Sequence, residues 1–153
     1  MKGVVDSLAS APADAVRFSG ARGDITAGMI RASAARALKA LPDSTAPLFI
    51  YTQSAALFCA GLLIAGARGR RLSVLPQAQP GYLADIGATR KSLLTDQGDA
   101  PTLSLEHGDA RIEADAHVDL DFFTSGSTGA PKIVPKTLAH LEREILFWES
   151  LLG

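Results

Sequence analysis

Four short apolar runs constrain this chain most. They are Pro47 to Thr52, Leu72 to Leu75, Ser92 to Thr95 and Leu120 to Phe123. Each is short and rich in strand-forming side chains, as a buried strand should be. A long apolar stretch with helical character, Ala55 to Ala67, separates the first two, and Ser54 stands ready to cap it. A shorter helical candidate, Pro80 to Ala88, separates the second and third. Strand, helix, strand, helix, strand is the alternation of an α/β fold with a parallel sheet. Ligands of such sheets sit beyond the carboxyl ends of the strands, and the segment after Phe123 falls at such an end.

Composition sets few further limits. The chain has 153 residues, 47% of them hydrophobic and 20% charged, which fits one domain with a real core and argues against disorder. The net charge of −1 gives no reason to invoke nucleic acid or an anionic membrane as partner. As a helix, Ala55 to Ala67 would span roughly 20 Å, short of the roughly 30 Å hydrocarbon layer, so no membrane span is expected. Lys2 is followed by Asp6 and no apolar run builds up, so a secretory signal is not expected. A cytoplasmic protein is the expectation. The single cysteine, Cys59, sits among Ala and Leu and reads as a small buried hydrophobe rather than a nucleophile.

Residues 1 to 23 show weak periodicity and read as a loose leader. Thr26 then offers an N-cap, Met29, Ile30, Ala34, Ala37, Leu38 and Leu41 follow at helical spacing, and Pro42 stops that helix. Arg68, Arg70 and Arg71 read as the solvated, cationic end of the second helix. Pro101 to Leu105 and Arg111 to Ala114 are expected to be short flanking strands or a hairpin around His107-Gly108-Asp109. His107 and His117 lie among acids, but their spacing fits no metal-ligand pattern, and no metal site is assigned. A final helix from about Leu138 carries Leu141, Ile145, Trp148 and Leu152 as an expected core stripe.

The segment after Phe123 carries the chemistry. Gly126 and Gly129 allow backbone shapes closed to other residues and let an anion approach the main chain. Thr124, Ser125, Ser127 and Thr128 add four hydroxyl donors, and Lys132 adds a mobile positive charge. No carboxylate interrupts the set. Such a group suits a polyphosphate, each charge-assisted bond contributing about 1.5–3 kcal/mol. The run has no Gly-Lys-Ser/Thr in Walker frame, and no Gly-x-Gly-x-x-Gly occurs in the chain.

Thr124-Ser125-Gly126-Ser127-Thr128-Gly129-Ala130-Pro131-Lys132 resembles, at every defined position, the signature loop of adenylate-forming enzymes. That superfamily includes acyl-CoA synthetases, peptide-synthetase adenylation domains and luciferases. Weaker likeness lies upstream, in Phe58 to Ala67 and in Ser92-Leu93-Leu94-Thr95-Asp96. The resemblance implies a partial doubly wound, mostly parallel sheet with helices on both faces, residues 24 to 153 forming part of an AMP-binding domain. It implies ATP and Mg2+ as cofactors, with Thr124, Ser125, Gly126, Ser127, Thr128 and Gly129 holding the phosphates. Lys132 would also act catalytically by neutralising departing pyrophosphate. The implied partners are a carboxylic acid and a thiol of coenzyme A or a phosphopantetheinyl carrier.

The chain departs from the family after Lys132. Pro135 removes an N–H where a strand would continue, so that strand should be short or at an edge. Leu138 stands where the family often has His, and His140 reads as a helix-surface residue. The family's adenine, acyl and magnesium-binding elements lie downstream of this loop, so little or no complete turnover is expected of these residues alone, and the final helix would favour self-association if its apolar stripe were uncovered. A stand-alone phosphate-binding module and a remnant that no longer binds are the alternatives.

Overall fold

The computed structural model describes residues 2–99, 101–124 and 129–152, apart from the side chains of Trp148 and Leu152. The fold is α/β. Its main sheet comprises β3 (Leu48–Tyr51), β4 (Leu72–Val74), β5 (Leu93–Thr95), β6 (Asp119–Thr124) and β7 (Lys132–Thr137), in the order β5-β3-β4-β6-β7. β3 pairs in parallel with β4 and β5, β4 pairs in parallel with β6, and only β7 is antiparallel. The four core strands the sequence predicts are therefore present, and Pro135 sits in an edge strand as its missing N–H requires.

Alternation along the strands sorts side chains onto two faces. Leu48, Ile50, Leu72, Leu94 and Leu120 point into one core with α1 (Val4–Ser10), α2 (Ala27–Ala40) and α3 (Ala55–Arg68). Phe49, Leu75 and Leu93 point the other way, against Tyr82 and Leu83 of α4 (Pro80–Asp85) and against Phe123. Helices thus cover both faces. Each fully buried Leu or Ile contributes on the order of 1.5–3 kcal/mol, so the first and larger core carries most of the stability. The helix starts are those the sequence marks. Thr26 accepts from the Met29 N–H at 3.3 Å, and Ser54 accepts from the Leu57 N–H at 3.3 Å.

Three expectations are corrected. Residues 1 to 23 are not a loose leader: α1 buries Val5 and Leu8, and β1 (Val16–Gly20) pairs with β2 (Gly23–Thr26) as a hairpin. The polar composition of that segment hides two well-placed apolar residues one helical turn apart. Residues 101 to 118 form no flanking strands. They are held instead by local bonds, the Thr102 and Leu103 N–H groups donating to the Thr95 carbonyl at 2.8 and 2.9 Å, and by burial of Leu103, Ile112 and Val118. The stripe on α5 (Leu138–Leu152) is only partly core: Leu138 is buried and Leu141 packs on the core, but Ile145 is 58% exposed.

One buried cation ties the N-terminal segment in place. Arg31 of α2, 4% exposed, donates from Nη1 to the carbonyls of Leu8 and Ala11, and from Nε to Asp109 Oδ1 at 2.7 Å. The Arg31 hydrogen bond holds the Asp109 carboxyl below its ordinary value of 3.8. A depressed carboxylate stabilises the fold above its unfolded pKa, and that contribution is lost as pH falls through the lower folded value. Denaturation midpoints taken from about pH 6 down to about pH 2 should therefore fall more for the wild type than for Asp109→Asn, the two converging in acid.

Gly66 supplies a second test. A Cβ there would lie 2.5 Å from the Asp115 carbonyl oxygen, and Asp115 itself donates its N–H to the Gly66 carbonyl at 3.2 Å. Gly66→Ala should lower stability by about 1–3 kcal/mol by prising the 110–116 segment off α3. Chemical denaturation would show this as a lower midpoint.

Candidate functional site

β6 delivers the glycine-rich segment. It runs parallel to β4, so Thr124 lies at a carboxyl end of the parallel strands. At the amino end of β6, Arg71 holds Asp121 at 2.8 Å and Asp119 at 3.3 Å. The two acids are two residues apart on a strand and so share a face. At the other end, Phe123 meets Phe49 with ring centroids 6.3 Å apart and planes tilted by 54°. Such tilted pairs stabilise by about 0.5–1.5 kcal/mol beyond their burial.

β7 returns beside β6 in unbroken register, from Asp119 opposite Thr137 to Thr124 opposite Lys132. Thr124 and Lys132 are thus direct cross-strand neighbours, and Thr124 Oγ1 reaches the Lys132 carbonyl at 3.5 Å, the outer limit of a hydrogen bond. The two ends of the segment are closed on each other. Gly129 has φ of +85°, a conformation that L side chains rarely adopt. Lys132 is exposed, and among the described residues it makes no ion pair. Of the expected set, the structure brings Thr124, Gly129 and Lys132 to one hairpin. Ser125, Gly126, Ser127 and Thr128 lie outside the described residues.

The chemistry of the described part fits an anion: an exposed ammonium group, an exposed hydroxyl and no carboxylate within 124 or 129 to 135. Among the described residues no group of three His, Cys, Asp or Glu side chains is placed to hold a metal. The His117 ring approaches Asp119 at 3.5 Å and its backbone N–H donates to Asp115 Oδ1 at 2.8 Å, while His140 is exposed, its N–H bonded to Thr137 Oγ1 at 3.2 Å as a helix start.

The arginine cluster is not a solvated helix end. Arg68 donates to the Leu38 carbonyl and pairs with Asp43 at 3.7 Å, Arg70 is 4% exposed and donates to the carbonyls of Ala46 and Pro47, and Arg71 grips β6. The Arg71 clamp escaped the sequence reading, although the spacing of Asp119 and Asp121 on one strand face was its signal. Also unforeseen is a cleft of about 710 Å³ lined by Met29, Ser54, Leu57, Asp96 and Leu103, among others. Ser54 and Asp96 follow the carboxyl ends of β3 and β5, so this cleft opens on the same sheet edge as Thr124.

Burial pushes the Cys59 thiol up to about 11 from 9.0. Its thiolate fraction near neutral pH should be lower than in the unfolded chain by on the order of a hundredfold. A disulfide reagent at mildly alkaline pH should therefore label native Cys59 far more slowly than denatured Cys59, and equal rates would contradict the burial seen here.

No family profile and no curated protein matches this chain. Among solved structures it is similar to that of amide bond synthetase McbA from Marinactinospora thermotolerans, with a TM-score of 0.48 and 17% identity. The match covers 90% of this chain and 35% of that one, so the chain spans about a third of that protein's length.

Proposed function

We propose that this chain is the phosphate-holding part of an ATP-dependent, adenylate-forming ligase that activates carboxylic acids. The observation that carries the proposal is the signature run from Thr124 to Lys132 emerging at the carboxyl end of a parallel strand, with Lys132 free of any carboxylate among the described residues. In this reading the hydroxyls of Thr124, Ser125, Ser127 and Thr128, with the backbone N–H groups around Gly126 and Gly129, hold the β- and γ-phosphates of ATP. Mg2+ supplies charge neutralisation between those phosphates. A substrate carboxylate oxygen bonds to the α-phosphorus as the bond to the β-phosphate oxygen breaks, and pyrophosphate leaves with both electrons of that bond. Lys132 stabilises the charge that accumulates on the leaving group. The thiol sulfur of coenzyme A or of a carrier protein then bonds to the acyl carbon as its bond to the phosphate oxygen breaks, releasing AMP, which leaves with that electron pair, and the thiol proton.

The cross-strand pairing of Thr124 with Lys132 supports this role. Positioning and charge are most of what phosphoryl chemistry asks of a protein, and that pairing brings a hydroxyl and an ammonium group together before any ligand arrives. Exposed apolar side chains at Ile133, Val134, Ile145 and Leu151 give the isolated chain a surface that favours self-association.

Calorimetric titration with Mg2+–ATP or Mg2+–pyrophosphate tests the reading. Lys132→Ala should weaken binding by about tenfold or more, the loss of one charge-assisted bond. Its unfolding midpoint should not move, because Lys132 is exposed and unpaired among the described residues. An unchanged affinity would remove the role given to Lys132.

A further inference from the structure

The opposite edge of the sheet carries a second feature. A cleft of about 180 Å³ lies between the last turns of α2 and the segments on either side of β5. Arg90 and Lys91 precede β5, at its amino end, whereas Thr124 ends its strand at the carboxyl end. The cleft is therefore separate from the proposed phosphate hairpin.

Its charge has one sign. Arg36, Arg90 and Lys91 line it and no carboxylate does. Arg36 is partly offset by Glu106 at 3.2 Å, but Arg90 and Lys91 make no ion pair among the described residues. The remaining wall is largely apolar: Ala37, Ala40, Leu41, Leu94 and Pro101.

Both walls are held in place. The Thr89 N–H donates to Ser92 Oγ at 3.1 Å and the Ser92 N–H donates to the Thr89 carbonyl at 2.9 Å, which fixes the turn carrying Arg90 and Lys91. Thr102 Oγ1 donates to the Leu93 carbonyl at 2.7 Å and accepts from the Thr95 N–H at 2.8 Å, which fixes the opposite wall to β5.

Two unpaired cations above an apolar floor are suited to an anion with an apolar body. A bare inorganic anion would use the cations and leave the floor wet, while a neutral apolar molecule would use the floor and leave the cations without a counter-charge. The volume equals about six waters of liquid, well below a drug-sized pocket, so the ligand must be small. We propose that this cleft binds a small organic carboxylate of about the size of benzoate, its ring or branched chain on Ala40, Leu41 and Pro101 and its carboxylate between Arg90 and Lys91.

Amide NMR of the labelled chain, titrated with benzoate, inorganic phosphate and benzyl alcohol in turn, tests this. Benzoate should give saturable shifts confined to residues 36–41, 89–94 and 101–102, and each of the other two probes should bind at least about tenfold more weakly. The exposed double substitution Arg90→Ala with Lys91→Ala should abolish the benzoate shifts while the rest of the spectrum stays folded. Lys132→Ala should leave them intact, so the outcome is independent of the phosphate-hairpin reading. Shifts that fail to saturate, that phosphate reproduces at equal concentration, or that survive the double substitution would overturn the proposal.

Discussion

Arg71 grips Asp119 and Asp121 at one end of β6, and Phe123 packs on Phe49 at the other. Between them Leu120 is fully buried. β6 is thereby fixed in register with β4, and β7 is fixed in register with β6. The position of everything after Thr124 follows from those contacts. Arg71 is about two-fifths exposed, so its ion pairs add little stability in themselves, about 0–1 kcal/mol each. Their consequence is directional: they set where the strand starts and so where it ends.

The rest of the architecture serves the same end. Placing apolar side chains on both faces of a short parallel strand forces helices onto both sides and leaves the strand termini as the open edges. At the carboxyl edge the backbone must turn, and Gly129 supplies a left-handed residue there. Lys132 then begins β7 at the exposed side of an edge strand, where its ammonium group is open to solvent. The exposed Lys132 and Pro135 on β7 also discourage another strand from adding to that edge.

Much of this was legible in the sequence. Short continuous apolar runs marked β3 to β6, and β3, β4 and β5 are buried on both faces as such runs require. Thr26, Ser54 and Pro42 marked helix ends because their side chains make or forbid specific backbone bonds. Pro135 placed its strand at an edge for the same reason. Legibility failed where stability comes from contacts distant in sequence. Val5 and Leu8 are two apolar residues in a segment rich in Ala, Ser, Gly and Asp, and their burial depends on α2 and α3. Residues 101 to 118 are ordered by Thr95 nearby and by Arg31 and Gly66, which are distant in sequence. Arg70 reads as a surface cation, yet it is buried because two carbonyls of the 46–47 segment receive it. At the candidate site, the strand-then-loop order put Thr124 at the carboxyl end of β6, as the fold has it, but the clamp on β6 required the fold.

The central claim is that a polyphosphate binds at the hairpin joining β6 to β7. Phosphorus NMR of Mg2+–ATP in the presence of the chain, paired with amide shifts of the chain itself, tests it directly. The account predicts broadening or shifting of the β- and γ-phosphate signals together with saturable amide shifts confined to the segment from Phe123 to Lys132. Unperturbed phosphorus signals, or amide shifts that fall elsewhere on the molecule, would contradict it.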